Sequence, residues 1–428
     1  MKKELPSYPV FSQDVFNYLS AKYFANNQLS YVIKLNGRIN ETLLRDALTQ
    51  SLAAEPVLGC RFIERDEQAI WLQHPDLKRL ELCSVVETDN SEKEVQQFIA
   101  SPHDFERDCQ IKATIIRSVT DTLCIKVNHA CCDAGGFKRY LTLLLSIYEH
   151  LYQGRQYFIP PNPSANRSQE PIFQSPAIAA WLKTANTEID MMPTVALPFT
   201  PGKDEAPFAA VGQTTPAQFE RLKKQAHAHS VTINDLLLTA YLRTLGVIAE
   251  APQKTIAVCN SVDLRRYLPD QTISAVSNLS GMNLIRGSCA PAESFAATLR
   301  KVAAETTHMK NNQPGINMAL FIATHGSMPF KDADLQWQGF KEMSAQTNLC
   351  NPWLSNVGIL AEKPVSFGSA TAIDCYMIGP AFFAPAFMLL TSTYNNVLTL
   401  SINFFQSTLK KAVAEQIIHS ILDDLQNC

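Results

Sequence analysis

The 428-residue chain reads as an α/β (α+β) protein of two subdomains, each a mixed sheet flanked by helices. Three observations predict this class. Helical and strand-like patterns alternate through both halves, a proline-rich stretch lies between them, and the length suits two cores, since single domains run to roughly 100–200 residues. The expected division is a first subdomain over 1–160, a connection over 161–205 and a second subdomain over 206–428. Hydrophobic residues make up 46% of the chain and charged residues 18%, a balance that excludes long disordered stretches. Lys and Arg number 37 against 40 Asp and Glu, so a formal net charge of −3 gives no global positive field to draw the protein to nucleic acid.

The elements follow in order. Ser12 is placed to cap a helix reaching to about Phe24, and 29–35 is a strand-like run. Asn36-Gly37 supplies turn chemistry before a second helix capped by Asn40. Leu43, Leu44, Ala47, Leu48 and Leu52 recur at helical spacing until Pro56 ends that helix. Residues 58–63 read as a strand with a partner at 69–72, and Ser91-Glu92-Lys93-Glu94 has the form of a capping box opening a third helix. Strands at 111–116 and 123–127 precede a long amphipathic helix over 137–151. Between Gln153 and Asp204 the composition shifts to Pro160-Pro161-Asn162-Pro163 and prolines at 171, 176, 193, 198 and 201, with one short helix near 178–184. Thr215-Pro216 and Thr232 then cap two helices. Strands are expected at 255–262, 279–284, 366–377, 386–393 and 397–404, with helices at 294–309 and 407–425.

Some chemistries are excluded by what is missing. The opening Met1-Lys2-Lys3-Glu4-Leu5-Pro6-Ser7 has no apolar run, which predicts neither a signal nor a transit peptide and a cytoplasmic location. No apolar run is long enough to span a membrane; 378–390 is broken by Gly379, Pro380 and Pro385. None of the 11 cysteines forms a C-x-x-C pair, so neither metal nor disulfide framework is expected, only reduced and mostly buried thiols. His227 and His229 sit near a helix end on different faces and read as exposed or capping. There is no P-loop, no dinucleotide fingerprint and no Gly-x-Ser-x-Gly.

The segment richest in chemistry is Val127-Asn128-His129-Ala130-Cys131-Cys132-Asp133-Ala134-Gly135-Gly136-Phe137, a strand end leading through small residues into a helix. His129 can act as a general base, because a neutral imidazole accepts a proton near physiological pH. A lone histidine at a strand end is more often an ordinary structural residue. Asp133 is placed to orient that ring or to hold the loop, and Gly135-Gly136 leaves room for positive φ or close approach. Cys131 or Cys132 as a nucleophile is disfavoured, since loop neighbours rarely face a base correctly.

His-x-x-x-Asp followed by glycine resembles the HHxxxDG signature of the chloramphenicol acetyltransferase and condensation-domain superfamily, which includes polyketide-associated and alcohol acyltransferases of secondary metabolism. Ser12-Gln13-Asp14 through Pro56 to Phe62 resembles the opening of a condensation-type domain. Val262 to Pro269 resembles the segment whose arginine pairs with the motif aspartate, and Ser355-Asn356-Val357-Gly358 resembles a recurrent Ser-Asn-x-Gly turn. The resemblance implies a pseudo-dimer of two subdomains with a tunnel between them. It implies His129 as base and Asp133 paired with Arg265, the tandem Arg266 being the alternative. Gly135, Gly136 and Asn128 would support the site, and Asn356 or Ser355 would donate to an oxyanion unless both simply form a turn. Two departures matter: Asn128 stands where the first His is expected, and Ala134 delays the glycine. Only Ser366-Phe367-Gly368 remains of the plant-type Asp-Phe-Gly-Trp-Gly motif.

The implied reaction moves an acyl group other than aminoacyl from coenzyme A or a carrier phosphopantetheine to a hydroxyl or amine. No permanently bound cofactor and a monomeric chain are expected. The alternative is a silent domain that binds a carrier or partner protein through the same groove.

Overall fold

A computed structural model describes residues 4–104, 106–159, 167–200, 206–249, 254–268, 275–290 and 293–428. Met1 to Lys3, Pro160 to Pro163, Pro201 and Pro269, all used in the sequence reading, lie outside the described residues. The first part runs β1 (Ser7–Pro9), α1 (Ser12–Tyr23), β2 (Gln28–Leu35), α2 (Glu41–Ala54), β3 (Cys60–Ile63), β4 (Ile70–Gln73), β5 (Cys83–Glu87), α3 (Ser91–Ala100), β6 (Ile111–Arg117), β7 (Asp121–Asn128) and α4 (Ala134–Tyr152). The connection carries α5 (Glu170–Gln174) and α6 (Pro176–Leu182). Then come β8 (Pro207–Gln213), α7 (Pro216–Ala228), α8 (Ile233–Ile248), β9 (Ile256–Asp263), β10 (Ser280–Gly287), α9 (Phe295–Lys310), α10 (Ile316–His325) and α11 (Phe330–Thr347). The last part is β11 (Trp353–Ile359), β12 (Ser366–Phe367), β13 (Ala370–Ile378), β14 (Met388–Tyr394), β15 (Val397–Phe405) and α12 (Lys411–Gln426).

Two mixed six-stranded sheets carry the fold, in the orders β12-β13-β2-β7-β6-β5 and β10-β9-β11-β14-β15-β8, beside a small sheet β1-β4-β3. Both large sheets have helical cover. On the first, Tyr31 and Ile33 of β2 pack with Leu44 and Leu48 of α2 and Phe137 and Leu144 of α4. Its other face packs Val32 and Cys124 against Val95 and Ile99 of α3. The second core joins Leu238, Tyr241 and Leu245 of α8 to Val258, Leu389, Leu400 and Ile421. Each such side chain contributes about 1.5–3 kcal/mol when removed from water, which is why the apolar periodicity was a sound guide to these helices.

Chain order and sheet membership part company at β12 and β13. Both lie beyond residue 206, yet β13 pairs antiparallel with β2, Tyr31 opposite Met377, and completes the first sheet. A second bridge runs the other way: Gln96 of α3 accepts from the Ala209 N–H (3.1 Å) and donates to its carbonyl (2.9 Å), satisfying the open edge of β8.

Local signals held where the chemistry was local. Asn40 accepts from Leu43 N–H at 3.2 Å, and Thr215 and Thr232 cap their helices as expected. Other boundaries moved. Phe11 and not Ser12 precedes α1, and Asn90 caps α3 at 3.0 Å, one residue before the expected serine. Helix α4 begins at Ala134 because Asp133 caps it, and α12 begins only at Lys411. The strand expected over 366–377 is split at Gly368, whose φ of 63° turns β12 into β13. Ser355-Asn356-Val357-Gly358 is not a turn: it lies inside β11, paired parallel with β14, with a bulge between Asn356 and Ile359.

Candidate functional site

Strand β7 lies between β2 and β6, and its last residue sets the loop that follows. Asn128 is fully buried; its amide donates to Gln110 Oε1 (2.5 Å) and its Oδ1 accepts from Ala130 N–H (2.8 Å), while its carbonyl accepts from Cys131 N–H. An asparagine at this position therefore turns the chain out of the sheet and leaves the next side chain, His129, to face the cavity between the two sheets. His129 N–H donates to the Asn27 carbonyl at 2.9 Å, which ties the loop to the start of β2.

Asp133 does not orient the histidine. Its four bonds go elsewhere: Oδ1 accepts from Gly136 N–H (2.7 Å) and Arg265 Nη2 (2.9 Å), and Oδ2 from Leu279 N–H (2.7 Å) and Arg265 Nη1 (3.1 Å). Burial pushes this carboxyl up, but the Arg265 guanidinium and the two amides outweigh it and hold the pKa below the usual value. For Arg265 burial works downward and the Asp133 and Asp263 carboxylates work upward, and the result is raised. Arg265 also donates to the Ser277 carbonyl at 2.8 Å. Arg266 is not the partner of Asp133. The carboxylate thus fastens the first residues of α4 to Arg265 and Leu279 of the second half.

Both glycines are required by close approach and not by positive φ. A Cβ on Gly135 would sit 2.5 Å from Arg265 Nη1, and one on Gly136 2.5 Å from the Ser277 carbonyl oxygen. Neither has a positive φ.

The imidazole of His129 is half-buried, and its Nδ1 makes no hydrogen bond of ordinary geometry. Burial lowers its pKa, opposed by its own carbonyl, the Asp133 carboxylate and the Asn278 amide, so the ring is neutral at physiological pH. The Cys132 thiol in the same loop is pushed well above its ordinary value by burial, which keeps it protonated and inert.

A second buried ion pair holds the same loop. Asp14 of α1 meets Arg167 of the connection, and Arg167 donates to the Cys131 carbonyl at 2.9 Å and also to that of Val276. Asn278 donates to the Ala130 carbonyl (2.7 Å) and to Asp14 (3.3 Å). Trp71 Nε1 completes the carboxylate at 3.0 Å. The carbonyls of the two residues after His129 are thereby gripped from the connection and from the second half. Arg167 and Asn278 carried no local signal: one is an arginine in a proline-rich stretch, the other an asparagine in an irregular segment.

The cavity has a volume of about 390 Å³ and takes walls from α1, the His129 loop, β9, β10, α10, α11 and β11. Ser355 and Asn356 both line it. The Asn356 amide is largely committed, accepting from Gly358 N–H and Thr391 Oγ1 (3.1 Å each) and donating to Asn234 Oδ1 at 3.4 Å. The Ser355 hydroxyl has no hydrogen-bond partner among the described residues. His227 and His229 are exposed at the end of α7, away from any cluster. Among the described residues no group of three His, Cys, Asp or Glu is arranged to hold a metal ion, all 11 cysteines are free thiols, and no single helix is long and apolar enough to cross a membrane.

Among solved structures the chain is similar to the first condensation domain of the calcium-dependent antibiotic synthetase, at 15% identity and a TM-score of 0.68, with 98% of this chain and 96% of that one covered. It is similar to polyketide synthase associated protein 5 from Mycobacterium tuberculosis at 16% identity and a TM-score of 0.67, covering 100% and 98% of the two chains. Trichothecene 15-O-acetyltransferase from Fusarium sporotrichioides matches at 11% identity and a TM-score of 0.66, with 98% and 95% covered. At these identities the likeness establishes the two-subdomain fold alone. No curated protein sequence matches the chain. Residues 18–314, well over half of the sequence, match the condensation-domain family. With that match and the shared fold, the chain belongs to the condensation-domain family.

Proposed function

We propose that this protein transfers an acyl group from a thioester, on coenzyme A or on the phosphopantetheine arm of a carrier protein, to a hydroxyl or amine acceptor. The observation that carries the reading is the placement of His129 on the wall of a cavity that both sheets line, on a loop tied down by Asn27, Asn278 and Arg167. His129 accepts the acceptor's proton as its oxygen or nitrogen attacks the thioester carbonyl. The tetrahedral intermediate carries an oxyanion, for which the uncommitted Ser355 hydroxyl is the better donor and the Asn356 amide the weaker. Collapse breaks the carbon–sulfur bond, and the departing thiolate takes the proton from the imidazolium. Asp133 and Arg265 act by position, setting the loop and the first turn of α4.

The test is thiol release from acyl-CoA donors of rising length, with pooled alcohols and amines and products identified by mass. Release that needs both an acceptor and His129 supports the reading. Release only from acyl-phosphopantetheine on a carrier assigns the donor to a carrier protein. No release from either donor overturns it in favour of a silent domain that binds its partner through the same groove.

A further inference from the structure

The cavity wall is sharply divided. The charged residues that line it are Asp133, Lys138, Asp263 and Arg265, and every one is engaged at the same end. Asp133 and Asp263 both bond Arg265, and Lys138 Nζ donates to the Val357 carbonyl at 3.0 Å. The other end is apolar. Phe16 and Trp353 pack with Met282, Met318 and Ile322 in one cluster, and Trp337 of α11 meets Phe16 edge-on with centroids 5.0 Å apart. These six side chains come from α1, β10, α10, α11 and β11, so both halves of the chain build the surface. Among the described residues that surface contains no charged group.

Resting on the acyl-transfer reading, we propose that this apolar chamber is a substrate site for an uncharged, apolar body. The body is the hydrocarbon part either of the acyl donor or of the acceptor. Two thioethers, Met282 and Met318, beside two indoles support this, since Met cavity walls are polarizable and adapt to irregular apolar shapes. At about 390 Å³ the cavity falls in the size range of small-molecule sites, roughly 300–1,000 Å³. A tail that carries an ammonium at its far end is rejected from the apolar end, because a charge there would be buried without a partner. The chamber therefore selects fatty or cyclic apolar tails over tails of equal size that end in a charge.

The test is calorimetric titration of the full chain carrying His129→Ala, so that binding is read without turnover. Donors are acetyl-, hexanoyl- and decanoyl-CoA; acceptor probes are ethanol, hexanol and decanol; a final pair is 6-aminohexanoyl-pantetheine and its uncharged counterpart heptanoyl-pantetheine. Affinity is expected to rise about fourfold per methylene until the chamber fills, in one series. A rise with the donors assigns the site to the acyl chain, and a rise with the alcohols assigns it to the acceptor. 6-Aminohexanoyl-pantetheine is expected to bind at least tenfold more weakly than heptanoyl-pantetheine. Ile322→Phe, which fills the chamber, and Met318→Lys, which charges it, should each weaken the longest probe at least tenfold, with folding checked by circular dichroism. Flat chain-length series, or long-probe affinity within twofold of the parent in both folded variants, overturns the chamber. Chain-length-dependent binding with no product from any donor in the wild-type protein leaves the chamber standing and overturns acyl transfer instead.

Discussion

Arg167 Nη2 donates to both carboxylate oxygens of Asp14, at 2.8 and 2.9 Å, and both side chains are almost wholly buried. An ion pair so placed is a weak source of net stability while intact, because desolvation offsets its attraction. Breaking one side is another matter. Arg167→Met should cost about 3–5 kcal/mol, since it leaves the Asp14 carboxylate uncompensated, and the double variant with Asp14→Leu should recover most of that loss. Urea unfolding midpoints of the single and double variants check the pairing. Equal loss in both would show that Arg167 matters through the Cys131 carbonyl and not through Asp14.

Asp133→Asn should lower both the melting temperature and the turnover, because Asn accepts only one of the bonds that pin α4 to Arg265. The carboxyl's folded pKa lies below its ordinary 3.8, so its contribution to stability is present above 3.8 and is lost as pH falls through the folded value. Asn does not titrate, so stability should fall less steeply with pH on the acid side of 3.8 in the variant than in the parent, measured by urea unfolding followed by circular dichroism from neutral pH downward.

His129→Ala should abolish turnover in thiol release while moving the melting temperature by only a few degrees, as the ring is half-buried and its Nδ1 makes no hydrogen bond of ordinary geometry. The wild-type pH profile adds a sign. A base whose pKa is lowered by burial from 6.5 stays active through neutral pH, so kcat/KM should decline only on the acid side of 6.5. A decline beginning above 7 would point to a different titrating group.

Gly136→Ala places a Cβ 2.5 Å from the Ser277 carbonyl oxygen, which is backbone and cannot swing aside. A loss of about 1–3 kcal/mol is expected from overpacking, with a comparable fall in activity because the Asp133 cap shares this turn. Ala at the solvent-facing Gly339, which meets nothing within 4 Å, is the control. Thermal melts of the two variants side by side decide the point.

Ser355→Ala should lower kcat by tenfold or more with little change in KM, if its free hydroxyl meets the oxyanion. Asn356→Ala should instead destabilise β11, since the Asn356 side chain holds Gly358 and Thr391. Steady-state kinetics on both, paired with melts, separates the two roles.

What the sequence made legible was local or carried by a motif. Helix caps at Asn40, Thr215 and Thr232 involve neighbours within three residues, so their chemistry is written side by side. The Asp133–Arg265 pair spans 132 positions and was reached through the family resemblance, not through spacing. Asp14, Arg167 and Asn278 meet only in the folded chain, and nothing near any of them signals the others. Helix α11 escaped notice because Leu335 and Met343 point to solvent at 66% and 60% exposure, which blurs the apolar period. Helix α10 follows Pro314 and Gly315, residues that read as a loop. In β11 the pairing with β14 overrode small polar residues that favour a turn.

The pairing of β13 with β2 has a consequence in time. During synthesis β2 leaves the ribosome early and finds β7 within the next hundred or so residues, but its other edge has no mate until β13 appears. With roughly 350 residues between the partners and about 5–20 residues added per second, that edge waits on the order of 20–70 s. Tyr31 and Ile33 stand on that strand, so the nascent chain carries an apolar, unpaired rim for that whole interval. Truncation before residue 370 would make the wait permanent, and the product should gather in aggregates even though the motif loop and α4 are intact.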